Sequence, residues 1–141
     1  MLYFALVLLL LAVILGLVLG LKYLLATSFT PYHAQVVGKP WEQLEPRVQA
    51  IIVGMLRVIG GGFLGLAATV AWLAYALFEG AGWAPWALAS IALVALLPAL
   101  AVALDLRKVE PQANTPVVPS IVAIGLILCG AGLGLFATWS S

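Results

Sequence analysis

The chain has 141 residues, of which 65% are hydrophobic and 8% charged, with a formal net charge of +1. Ordinary globular domains carry about a quarter of their residues as charges, so this composition cannot clothe a water-facing surface. It also excludes nucleic-acid binding by electrostatics, which needs many more basic side chains than acidic ones.

Four apolar runs divide the sequence. Each is long enough for a helix to cross a bilayer, which takes about 20 residues, and none alternates apolar with polar as barrel strands do. The fold class is therefore all-α, a four-helix transmembrane bundle forming a single transmembrane domain over residues 1–141. The spans are expected at 2–21, 58–78, 84–104 and 119–139, with residues 22–57 as a cytoplasmic loop containing an interfacial helix start.

The first run, from Leu2 to Leu21, is nearly pure Leu, Val, Ala and Ile, with Tyr3 and Phe4 at one end and Tyr23 at the other. A secretory signal has a basic segment ahead of a short apolar core. Here the lysine, Lys22, follows a long one, the charge order of an anchor with its N-terminus outside.

The next segment turns twice, at Thr30-Pro31-Tyr32-His33 and at Gly38-Lys39-Pro40-Trp41. Pro46 suits the first turn of a helix, where a missing N–H costs nothing. A helix from Pro46 to Phe78 would be about 50 Å long, well beyond the roughly 30 Å hydrocarbon thickness. Its start is therefore expected outside the hydrocarbon or along the interface, or the helix tilts strongly. Gly60-Gly61-Gly62 is the expected bend, because glycine is a poor helix former.

In the third run, Pro98 removes a backbone hydrogen bond and should kink the helix towards its cytoplasmic end. Asp105-Leu106-Arg107-Lys108 marks the exit, and Pro111, Pro116 and Pro119 predict an irregular third connection. The fourth run ends at Trp139 and carries Cys129, read as a small buried hydrophobe.

Charge orients these spans. Lys22, Lys39, Arg47, Arg107 and Lys108 fall in the first and third connections, whereas the second, Phe78 to Trp83, has neither Lys nor Arg. The positive-inside rule places the first and third connections in the cytoplasm and both the N-terminus and the C-terminus outside. Trp83, Trp86 and Trp139 then fall at the outer interface, where aromatic side chains are favoured.

Helices in lipid associate where small residues let backbones approach. Gly16 and Gly20, Gly61 and Gly65, and Gly130 and Gly134 are pairs at that spacing, and Ala95 and Ala99 continue it in the third span. These are the expected helix-packing residues, within one unit or against another subunit.

Polar chemistry is sparse. Arg57 lies in an apolar stretch; it either snorkels to the interface or pairs with a carboxylate, Asp105 first and Glu42 or Glu45 next. His33 is the lone histidine, and no metal-ligand spacing or cofactor signature surrounds it. Tyr32, His33, Lys39, Trp41, Gln49, Arg57 and Asp105 form the candidate ligand-binding set, a cap over the entrance of the second helix. The middles of spans one, three and four hold no ionisable group, which argues against an ion-coupled carrier. No catalytic constellation is visible.

The stretch Pro31-Tyr32-His33-Ala34 through Gly38, Trp41, Leu44 and Gln49 to Arg57 resembles a motif of small bacterial four-helix integral membrane proteins with no assigned activity. The resemblance implies the four-span plan and draws attention to the loop and helix entrance. It brings no substrate or cofactor.

The expected role is non-catalytic: an accessory or structural subunit of a larger membrane protein complex, or a homo-oligomer, surrounded by membrane lipids in the bacterial inner membrane. The alternative is a binder or carrier of a lipid- or quinone-like ligand at the cytoplasmic interface. An oligomeric channel is a further alternative.

Overall fold

The computed structural model describes residues 1–139. Helix α1 (Leu2–Leu24) is followed by a short helix α2 (Pro31–Val37) and a single 3-10 turn at Trp41–Gln43. Helix α3 (Pro46–Phe78) has 33 residues. The third span is composite: α4 (Ala84–Ile91), a π-helical turn at Ala92–Leu96, and α5 (Leu97–Val109). Helix α6 (Val117–Trp139) closes the bundle.

Among the described residues, four helices are thus long and apolar enough to cross a membrane. Only 17–22% of each span's apolar window is buried inside the molecule, so most of the Leu, Val and Ile surface needs an apolar surrounding. The protein is a four-helix integral membrane bundle.

The best-packed region is the half of the bundle that holds the α3–α4 turn. Helix α1 lies between α3 and α6 there, and α4 completes the ring against both. Leu9, Leu77 and Leu88 are fully buried, surrounded by Ala12, Val70, Leu73, Ala84, Ala92, Ile127 and Ala131. Glycines let the backbones close. A methyl group on Gly130 would lie 2.8 Å from the Leu9 side chain, and one on Gly134 would lie 2.6 Å from Leu77. Trp72, Trp83, Trp86 and Trp139 stand outward at this end, where amphipathic rings suit a membrane interface.

Helix α3 runs unbroken through Gly60-Gly61-Gly62, where the glycine triplet predicts a bend. Gly60 is buried against α1, with the Gly20 carbonyl and Leu24 backbone in the space a methyl group would take. Tight packing offsets the weak helix propensity of the triplet. Gly61 and Gly65 face outward, and a methyl group on either would meet nothing within 4 Å, so neither is a contact within the chain. Cys129 is exposed along α6 rather than buried.

Pro98 lies two residues beyond a change of winding in the third span. The π turn lets the Leu97 N–H donate to the Ala92 carbonyl, five residues back. Widening the turn gives the proline ring room against the preceding carbonyls, a recurrent cause of helix bending. Beyond it, α5 packs principally on α6 and leaves α3.

The two connections at the opposite end meet. The Asn114 N–H donates to Gln35 Oε1 at 3.2 Å, linking the third connection to α2. Gly38 ends α2 in the left-handed region, at φ 69°, which a glycine adopts without strain.

Candidate functional site

Where α5 parts from α3, a cavity of about 340 Å³ opens inside the end of the bundle that carries α2. Ligand pockets range from roughly 300 to 1,000 Å³. Leu19 and Tyr23 of α1, Leu56, Ile59 and Phe63 of α3, and Leu96, Pro98, Ala99, Val102, Ala103 and Leu106 of the third span form its walls. Pro116, Pro119, Ser120 and Ala123 close the α6 side, and Tyr32 and His33 of α2 close the end. Ile59 and Val102 are both exposed, at 45% and 58%, and flank a mouth between α3 and α5 that faces the surroundings of the bundle.

The wall is apolar except at one end. Tyr23 stacks on Phe63 with ring centroids 6.0 Å apart, and its hydroxyl lies 3.2 Å from that of Tyr32. The Tyr32 ring is 4.0 Å, centroid to centroid, from the His33 ring. Behind this row Phe29 is buried, 6.4 Å from His33 and edge-on to Trp41 at 5.1 Å. The Ser120 hydroxyl donates to the Pro116 carbonyl at 2.8 Å, leaving its lone pairs free to accept.

Thr30 sets the state of His33. The Thr30 backbone N–H donates to His33 Nδ1 at 3.2 Å, and the Thr30 hydroxyl lies 2.9 Å from the same nitrogen. A backbone N–H can only donate, so Nδ1 accepts and the proton of the neutral ring sits on Nε2. His33 thereby takes the place that Glu or Gln fills in an ordinary capping box. Burial, and then the nearby positive charge of Lys22, hold its pKa below the ordinary histidine value. Burial also pushes the Tyr32 phenol up, with the Tyr23 hydroxyl adding to the shift.

Of the seven candidate ligand residues, only Tyr32 and His33 line the cavity. Arg57 is exposed on α3, next to the buried Leu56 that does line it, and has no ion-pair partner among the described residues. The alternative pairing of Arg57 with Asp105 is not formed; Asp105 binds Lys108 at 2.7 Å, one turn away on the exposed face of α5. Glu42 and Glu45 are exposed as well. Gln49 donates to the Trp41 carbonyl at 2.8 Å and ties the 3-10 turn to the start of α3. Lys39 is exposed beside Gly38.

The packing residues divide in the same way. Gly16 and Gly20 face α3, and Gly130 and Gly134 receive the side chains of Leu9 and Leu77. Ala99 is part of the cavity wall, and Ala95 lies partly buried in the π turn.

Sequence reasoning misses Tyr23, Phe63, Ser120, Phe29 and Thr30. Tyr23 and Leu19 are one turn apart, as are Pro116 and Ser120 and then Ala123, so the periodic signal exists. It is hidden because the facing helices decide whether such a stripe meets a neighbour or a space. No group of three or more possible metal ligands occurs among the described residues. Compared with protein-family models, curated proteins and solved structures, the chain matches none.

Proposed function

We propose that this protein binds a long-chain, lipid-like molecule in the cavity between α1, α3, α5 and α6, and that its role is non-catalytic. The observation that carries this reading is a cavity of ligand size, apolar along its length and hydroxyl- and imidazole-bearing at one end. Its mouth between Ile59 and Val102 would let a chain enter from the bilayer. The basic connections favour placing the α2 end in the cytoplasm, and the Ala-, Leu- and Gly-rich composition fits a bacterial inner membrane.

A second reading, an accessory subunit or homo-oligomer, draws on the outward glycines of α3. Gly54, Gly61 and Gly65 have open space beside them, and small residues on an outer face suit helix–helix association in lipid.

Native mass spectrometry of protein extracted gently from its own membranes separates the two. A monomer or small oligomer carrying a defined lipid-like mass, lost in Ala99→Trp, supports cavity binding. An unchanged mass and occupancy in a folded Ala99→Trp variant would sink it, since Ala99 lines the cavity and the indole would take up much of its width. A stable assembly with other polypeptides would instead favour the subunit reading.

A further inference from the structure

We infer that the occupant of the α2-end cavity has an uncharged head bearing a carbonyl or hydroxyl oxygen, held at Tyr32, His33 and Ser120, rather than a phosphate or carboxylate head. This rests on the binding reading above and narrows it to a ligand class.

Among the described residues no Lys, Arg, Asp or Glu borders the cavity. A buried ionised head without a counter-charge costs several kcal/mol, even after relaxation. Lys22, whose charge reaches His33, is exposed and stands off the cavity wall; Arg57 is exposed as well, and Lys108 is engaged by Asp105.

The polar atoms present match an oxygen acceptor. Nδ1 of His33 is taken by Thr30, so Nε2–H is the free polar atom of the ring, and it has no partner among the described residues. Tyr23 and Tyr32 share one hydrogen bond between two hydroxyls, so one O–H remains to donate. Ser120, already donating to Pro116, can only accept, which suits a head that also carries a hydroxyl. A quinone carbonyl and a glyceride ester or hydroxyl share this chemistry.

The test uses full-length protein, delipidated in detergent and offered four probes separately above neutral pH: a decyl-substituted benzoquinone, monoolein, oleate and dioleoyl phosphatidic acid. Occupancy is read by native mass spectrometry on the wild type, on Ala99→Trp and on Ala99→Leu, which fills less space should the larger variant not fold. The expected result is that at least one neutral probe binds about tenfold or more tightly than either anion, a difference near 1.4 kcal/mol. That binding should fall in the Ala99 variants and weaken several-fold in Tyr32→Phe. Whichever neutral probe binds better identifies the source, quinone or glyceride. If oleate or phosphatidic acid binds as well as the neutral probes and is lost in the Ala99 variants, the head-group inference is wrong while cavity binding stands. If no probe binds, or the Ala99 variants bind as the wild type does, both fail.

Discussion

Gly60 of α3 faces Leu24 of α1 backbone to backbone. A methyl group on Gly60 would lie 2.8 Å from the Leu24 Cα and 2.8 Å from the Gly20 carbonyl oxygen. Backbone atoms in a packed helix pair cannot step aside as a flexible side chain can. Gly60→Ala is therefore expected to lower stability by about 1–3 kcal/mol, the usual cost of overpacking. Its neighbours behave oppositely. Gly61→Ala and Gly65→Ala meet open space and should raise stability by roughly 0.5–1 kcal/mol through helix propensity. Thermal unfolding in detergent compares the three. A destabilised Gly65→Ala together with a change in oligomeric state would show that another subunit occupies this face.

His33 makes the docking of α2 sensitive to acid. Its pKa is lowered in the folded protein, so the released helix binds more protons than the docked one below the ordinary value of 6.5. The stabilisation that neutral His33 lends to docking is thus fully present above about pH 6.5 and declines progressively as pH falls through and below that value. Protonation also converts Nδ1 from acceptor to donor, opposite the Thr30 N–H. Lower protection of the amides of residues 32–37 at low pH, measured against their slower intrinsic exchange there, is the expected signature. His33→Gln keeps an acceptor for Thr30 without a titrating group, so its exchange should gain no such acid step. An identical step in that variant would assign the effect to another group.

The Thr115 hydroxyl is buried beside the cavity wall and has no hydrogen-bond partner among the described residues. An unsatisfied buried polar group costs about 1–3 kcal/mol. Thr115→Val keeps the shape and removes the orphan, so a higher unfolding temperature is expected, with Thr115→Ala lower than Thr115→Val. A fall in stability for the valine variant would reveal that a bound molecule satisfies the hydroxyl in the working protein.

Arg57 stands outside the cavity, and Arg57→Ala should change stability by no more than about 0.5 kcal/mol, as for most exposed sites. Lipid occupancy measured on the same variant should match the wild type. Loss of the bound mass would place the guanidinium at the ligand after all.

The four spans, an irregularity of winding near Pro98 and the organised first loop are legible in the sequence because each depends on local signals: run length, a ring that cannot donate, and turn residues. The facing of individual residues is not. Leu56 is buried and Arg57 exposed, yet both sit in a stretch apolar on every side, so periodicity does not distinguish them. Gly60, Gly61 and Gly62 point in three directions about 100° apart around one helix, and only the position of α1 selects the first. The cavity itself arises from two helices failing to meet, and no residue encodes a space by its own identity.

The π turn at Ala92–Leu96 has a consequence for the phase of everything after it. One extra residue in a turn advances the rest of a helix by about 100° relative to regular winding. Ala99, Ala103 and Leu106 are turned towards the bundle with that offset in place. Removing a single residue from Ala92–Leu96 would let the turn close to regular winding with those three side chains still towards the bundle, whereas a substitution that restored regular winding at full length would rotate them away by about 100°. The address of the cavity wall is therefore written in angle as much as in residue type, and a deletion there is a different experiment from any substitution.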